Sequence, residues 1–260
     1  MLFVCMAWPM TTSAQSGQVE VVEIPTRAGV MIRAIYGRAD SPAASAVLFA
    51  GGRGRVGIYR NGTVQFESYL TGSTSRFIRN GISVLVVEVP SDRTSLNGFR
   101  HTPEHAADNA ALIAYLRQRA RVPVWMIGVS NGAASAAAAG LLIKENGPDG
   151  IVLSSSPTLA SFGDLTSVVT DLPLQDLTVP VLVVHHKNDP CFTTPYAGMT
   201  ELMASLSRAR KRELITLEGG NKGNNPCSAG YHLFSGIEDT AIQLIADWIK
   251  QRPPSGTLAR

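Results

Sequence analysis

The 260-residue sequence contains no run of about 18 apolar residues, so it holds nothing long enough to cross a membrane as a helix. It lacks a phosphate loop as well. The Gly-rich stretch at Gly51 to Gly54 has neither the G-x-x-x-x-G-K-S/T spacing nor the lysine that would hold phosphates. Charge of either sign is scarce. Lys and Arg number 23 against 20 Asp and Glu, giving a net +3, and the basic residues are scattered except at Arg208, Arg210, Lys211 and Arg212. No aromatic or Gly-rich recognition pattern accompanies that cluster, so it reads as the solvated end of a helix, and no nucleic-acid partner is expected. There is no internal repeat. Cysteine is limited to three residues, Cys5, Cys191 and Cys227, which leaves room for one disulfide at most.

What the chain has is apolar residues in short blocks. The hydrophobic set makes up 45% of the sequence, enough to bury one sizeable core as a single α/β domain over residues 16–252. Residues 1–15 hold a short apolar run followed by small polar residues. They read as a secretory signal cleaved near Ala14 or Gln15, although no Lys or Arg precedes the run. Export to the periplasm or the exterior would remove Cys5 and leave Cys191 and Cys227 as a pair for one bridge. After Arg252 the Pro-rich tail, 253–260, is expected to fray.

Two alternating segments, 18–24 and 30–36, predict an antiparallel hairpin around the turn Thr26-Arg27-Ala28-Gly29. Continuous apolar strands follow at 44–49, 82–89, 123–127, 150–154 and 179–185, with a last strand at 213–217, and continuous runs are what strands buried on both faces require. Helices are expected at 67–79, at 102–119 with Thr102 as N-cap and Pro103 at the first position, and at 131–145, 195–207 and 237–250. Strands alternating with helices indicate a mostly parallel sheet covered on both faces, with functional groups at the carboxyl ends of the strands. Residues 155–178 lack strong periodicity and are too few for a multi-helix lid, so the site is expected to be open.

The informative stretch is Pro123 to Gly132. An apolar strand runs directly into Gly128-Val129-Ser130-Asn131-Gly132 and then into an Ala-rich helix. Such a turn lifts Ser130 above the sheet and puts the Asn131 amide at a helix N-terminus, where developing negative charge is favoured. A serine hydroxyl needs a base within hydrogen-bond reach and a carboxylate to orient that base. Asp189 follows an apolar strand by a few residues, with Asp164, Asp171 and Asp176 as alternatives. His232 lies in the loop after the last strand. His185 and His186 read as a strand-end pair, and His101 and His105 as a pair at a helix start. His185, His186 and Asp189 have no second cluster to complete a ligand set, so no metal or other cofactor is expected.

The order Ser130, Asp189, His232, with the serine in a strand-to-helix elbow, resembles the α/β-hydrolase superfamily. The resemblance spans about residues 18–250 and is carried by GVSNG at 128–132, PVLVVHHKND ending at Asp189, and GYHLF around His232. It implies a mostly parallel sheet of about eight strands with an antiparallel N-terminal hairpin and helices on both faces. It further implies Ser130 as nucleophile, His232 as base and then acid, and Asp189 as orienting carboxylate. The oxyanion hole would combine the Asn131 amide with that of Gly52 or Arg53. Many members have His-Gly in that turn where this chain has Gly51-Gly52, which leaves the second amide open.

A Cys191–Cys227 bridge would join the loop of the acid to the loop of the base, and some secreted cutinase-like hydrolases are similar in carrying a disulfide near the triad. The expected activity is cleavage of a small or polymeric ester by an exported, lidless enzyme of dienelactone-hydrolase-like or cutinase-like type. Peptidase or acyltransferase chemistry on the same residues, or a non-catalytic binding protein of this fold, are the alternatives. Tyr59, Phe99, Phe192 and Phe234 are candidates for an aromatic cleft.

Overall fold

The computed structural model describes residues 18–161 and 167–251. The expected signal segment 1–15, the tail 253–260 and Asp164 lie outside them. Eight strands form one sheet: β1 (Val19–Pro25), β2 (Met31–Gly37), β3 (Ala44–Phe49), β4 (Ile82–Val87), β5 (Val124–Val129), β6 (Gly150–Ser154), β7 (Val181–His186) and β8 (Arg212–Leu217). Their spatial order is β1-β2-β4-β3-β5-β6-β7-β8. The pairs β1–β2 and β2–β4 are antiparallel and every other pair is parallel. The hairpin closes as expected, with Gly29 in the left-handed region at φ 71° and the Thr26 amide donating to the Val30 carbonyl.

Every residue of β3, β4, β5, β6 and β7 is buried, which is the physical meaning of their uninterrupted apolar sequence. The edge strands β1 and β8 are partly exposed and carry charged residues. Among the described residues five helices cover the two faces: α1 (Thr74–Arg79), α2 (Pro103–Arg119), α3 (Gly132–Leu142), α4 (Met199–Ser205) and α5 (Glu238–Lys250). One core packs Leu112, Ile113 and Leu116 of α2, the alanines of α3 and Leu202 of α4 against the sheet. The other packs Phe77 of α1 and Ile242, Ile245 and Trp248 of α5 against the opposite face.

Several elements are shorter than their sequence suggests. The helix expected over 67–79 forms only from Thr74. Ahead of it Ser68 and Thr71 exchange side-chain-to-backbone hydrogen bonds in both directions, a local alternative to helical pairing. The strand expected over 82–89 stops at Val87, because the Glu88 carboxylate accepts from the amides of Val56, Ile58 and Val89. Residues 195–207 begin as a 3-10 turn, Tyr196–Gly198, before α4. Because α4 ends at Ser205, the basic cluster falls on the exposed connection into β8 and on that strand's first residue, Arg212, rather than on a helix end; Arg208 pairs with Asp176 and Lys211 with Glu213.

Candidate active site

The strand β5 ends at Val129 and α3 begins at Gly132, so two residues make the whole connection. Ser130 adopts a left-handed backbone at φ 54°, uncommon for a residue with a side chain. Its amide donates to the Ser154 carbonyl, and its own carbonyl accepts from Ala133, so the turn is fixed on both sides. Two glycines permit it. A Cβ on Gly128 would lie 2.1 Å from the Gly132 carbonyl oxygen, and one on Gly132 would lie 2.4 Å from that of Phe49.

The Gly-rich turn after β3 stands directly against the serine, since a Cβ on Gly51 would fall 3.0 Å from Ser130 Cβ. Gly52 and Gly54 have φ of 51° and 85°, and the Gly54 amide donates to the Gly51 carbonyl. Asn131 ties the two turns together, its Nδ2 donating to the Gly52 carbonyl at 3.2 Å.

Asp189 lies three residues beyond β7 with its carboxylate wholly buried. Oδ1 accepts from the Cys191 amide at 2.9 Å, and Oδ2 accepts from Thr194 Oγ1 at 2.9 Å and faces His232 Nδ1 at 2.9 Å. His232 sits in a 3-10 turn, Gly230–Leu233, and its carbonyl accepts from Ser155 Oγ. With Nδ1 on the carboxylate, Nε2 is the nitrogen left over, and it is buried with no hydrogen-bond partner among the described residues. Ser130 and His232 line the same cavity, about 640 Å³ in volume, together with Gly51, Gly52, Arg53 and Phe66. A disulfide joins Cys191 to Cys227, linking the Asp189 loop to the His232 loop.

Of the remaining histidines, His185 also borders the acid, its Nε2 3.4 Å from Asp189 Oδ2. His185 Nε2 lies 2.9 Å from the Thr194 carbonyl, and burial holds its pKa below the ordinary value, so the neutral ring donates there. His186 stacks flat on Tyr231 at 4.3 Å and reaches the Gly219 carbonyl, which steadies the loop leading to His232. His105 is buried against Ser135, away from the cavity. Among the described residues no three His, Cys, Asp or Glu side chains are grouped to hold a metal. Of the alternative acids, Asp171 is exposed and Asp176 pairs with Arg208.

The aromatic candidates are misplaced. Phe99 and Phe234 are buried, Tyr59 lines a neighbouring cavity, and Phe192 is exposed but does not line the one beside Ser130. The apolar lining of that cavity comes from Ala50, Phe66, Val129 and Leu233 instead. Sequence reasoning also missed Thr194 and Ser155. Thr194 carries no local signal, whereas Ser155 lies in a run of three serines at the end of β6, where a strand terminus faces the site.

No family model and no curated protein matches the chain. Solved structures do. An esterase of Pyrococcus furiosus is similar over 95% of this chain and 97% of its own, with a TM-score of 0.65 at 14% identity. The dienelactone hydrolase of Anabaena variabilis is similar over 90% of this chain and 97% of its own, with a TM-score of 0.61 at 12% identity. The chain has the α/β-hydrolase fold. A serine hydrolase of Xanthomonas campestris described as lacking a lid is similar across 96% of this chain and 100% of its own, with a TM-score of 0.55 at 15% identity. In this α/β-hydrolase fold the parallel strands β3, β5, β6 and β7 end on one edge of the sheet, the edge that carries Gly51, Ser130, Ser155 and Asp189. The antiparallel β1–β2 hairpin lies at the far side of the sheet from β7 and β8.

Proposed function

We propose that the chain is an exported serine hydrolase that cleaves carboxylic esters through an acyl-enzyme. The observation that carries this reading is the buried, unpartnered Nε2 of His232 on the cavity it shares with Ser130, while Nδ1 is held by Asp189. His232 Nε2 takes the proton from Ser130 Oγ as that oxygen attacks the ester carbonyl, then returns it to the departing alkoxide. Water attacks the acyl-enzyme by the same route in reverse, releasing the acid and restoring Ser130. Asp189 orients the imidazole and stabilises its protonated form.

The negative oxygen of each tetrahedral intermediate is received by the Asn131 amide and by Gly52 or Arg53. Losing one such donor typically costs about 3 kcal/mol of transition-state stabilisation. The chemistry calls on no metal or cofactor. Ester substrates are favoured by the likeness to an esterase and a dienelactone hydrolase. Export is supported by the Cys191–Cys227 bridge, and residues 1–15 serve as signal ahead of one domain over 16–252.

A fluorophosphonate probe on the wild type and on Ser130→Ala tests the proposal. Labelling of the wild type alone is expected, along with turnover of an activated aryl ester. Equal labelling of both, or of neither, sinks it. Product analysis with amide substrates and alcohol acceptors distinguishes hydrolysis of esters from peptidase or acyltransferase activity.

A further inference from the structure

Behind the turn after β3 lies a buried cation. Arg100 is 1% exposed, and no carboxylate pairs with it among the described residues. An unpaired buried charge is costly, so its surroundings must engage it in other ways. Nη1 donates to Ser135 Oγ on α3 at 2.8 Å, and Nη2 donates to the carbonyls of Gly52 at 3.0 Å and Ala50 at 3.4 Å. Those two carbonyls bracket Gly51, whose backbone abuts Ser130. A Cβ on Gly54 would approach Arg100 Nη2 to 3.2 Å, so the guanidinium lies directly against the turn.

Ser135 Oγ, having accepted from Arg100, has its own proton to give. His105 Nε2 lies 3.0 Å away and can take it, because burial keeps that imidazole neutral. The guanidinium is thereby anchored to α2 and α3 on one side and to the turn on the other. Burial also pushes the Arg100 pKa down to about 9, which leaves the group charged at neutral pH.

A peptide unit is planar, and in its trans form the N–H points opposite to the carbonyl. Drawing the Ala50 and Gly52 carbonyls toward Arg100 therefore turns the following amides, of Gly51 and Arg53, the other way, and it fixes the turn on both sides of the Gly52 amide. The second grip on the Gly52 carbonyl comes from Asn131, itself part of the elbow.

We propose that Arg100 is a positioning residue for the oxyanion-binding turn: its guanidinium holds the Ala50 and Gly52 carbonyls back, so that the amides of the turn stay set for the negative oxygen formed at Ser130. The proposal rests on the ester-hydrolase reading above. Arg100 touches no substrate, as it does not line the cavity. Its effect should fall on the transition state and spare ground-state binding.

The test compares the wild type with Arg100→Met, Arg100→Lys and Ser135→Ala on an aryl ester, and measures the affinity of each for an aryl boronic acid, which forms a tetrahedral adduct on serine. Turnover by the wild type and its loss in Ser130→Ala are established first, and their failure overturns the hydrolase reading and this proposal with it. Given that activity, Arg100→Met should lower kcat by about 10- to 100-fold, less than or equal to the loss of a whole donor, with KM within about 3-fold. Boronate affinity should fall in parallel with kcat/KM, the apparent pKa of the pH–rate profile should stay in place, and Arg100→Lys should recover part of the loss. A folded Arg100→Met with kcat and boronate affinity within about twofold of wild type overturns the proposal and leaves the hydrolase reading standing. Should that variant fail to fold, Ser135→Ala decides: a fall in kcat of about 3- to 10-fold at constant KM supports the proposal, and an unchanged kcat overturns it.

Discussion

His232 Nδ1 and Asp189 Oδ2 lie 2.9 Å apart with neither side chain exposed to solvent. The contact joins two loops separated by 43 residues of chain, and it leaves Asp189 with three donors around its two oxygens: the Cys191 amide, Thr194 Oγ1 and the imidazole. A buried carboxylate satisfied in this way fixes the ring opposite it in one orientation and one tautomer.

Replacing Asp189 by Asn should therefore lower kcat by about 10³- to 10⁴-fold, because an amide cannot hold the same tautomer or stabilise the protonated ring. Thr194→Val removes one donor to the carboxylate and should cost about 10-fold or less. Steady-state kinetics on an aryl ester reads both. Asp171→Asn and Asp176→Asn serve as controls, and a large loss from either would reassign the acid.

Removing the disulfide by the double change Cys191→Ser and Cys227→Ser opens a ring of 36 residues. The loss in stability should be about 4 kcal/mol on the chain-entropy model, read as a lower denaturation midpoint in urea. Activity should fall as well, since the same bond holds the Asp189 and His232 loops in register.

The elbow glycines tolerate no side chain. Gly128→Ala and Gly132→Ala each set a Cβ within 2.4 Å of a backbone carbonyl oxygen, so strand, helix or both must move. Each should cost about 2 kcal/mol or more in chemical denaturation and reduce labelling of Ser130 by a fluorophosphonate. Gly29→Ala is the contrasting case. It meets nothing within 4 Å, and its cost should be confined to a φ of 71°.

Stability should decline in mild acid through His105. Its pKa in the folded chain is pushed down to about 3 from an ordinary value of 6.5, first by burial and then by the nearby Arg100, Arg27, Arg93 and His101. The unfolded chain binds the proton first, so this contribution is whole above about pH 6.5 and is lost as the pH falls toward 3. His105→Gln should flatten the wild-type slope of stability against pH across that window. A slope unchanged by the substitution would place the acid sensitivity in another group, such as the buried His185.

Much of the fold was legible because burial on both faces writes itself into sequence as unbroken apolar runs, and β3 to β7 are all of that kind. The elbow was legible for a related reason. Gly128 is forced by the backbone of Gly132, four residues on, and Gly132 by the end of β3 at Phe49 and Ala50, so both sit at a fixed spacing around the serine. The positions of Asp189 and His232 could be read from strand ends and chain order, but their supports could not. His186 and Arg100 act through backbone carbonyls distant in sequence, which leave no residue pattern, and Thr194 reaches Asp189 from only five residues on but through a loop with no repeating spacing. The aromatic residues differ for another reason: Phe99 and Phe234 look like cleft material in a loop, yet Phe99 packs in a small cluster with Val89 and Leu96 under Arg93, and Phe234 packs against Tyr69 in the core beneath α1 and α5.

The disulfide closes a ring with an exposed, basic segment inside it. It encloses α4, β8 and the exposed basic connection at Arg208 to Lys211, a stretch open to trypsin-like proteases. A nick there would part Ser130 and Asp189 from His232 along the backbone, yet the two fragments would stay one covalent molecule through Cys191 and Cys227. Survival after cleavage would then depend on the redox state of the surroundings, because only a reductant could release the piece that carries the imidazole.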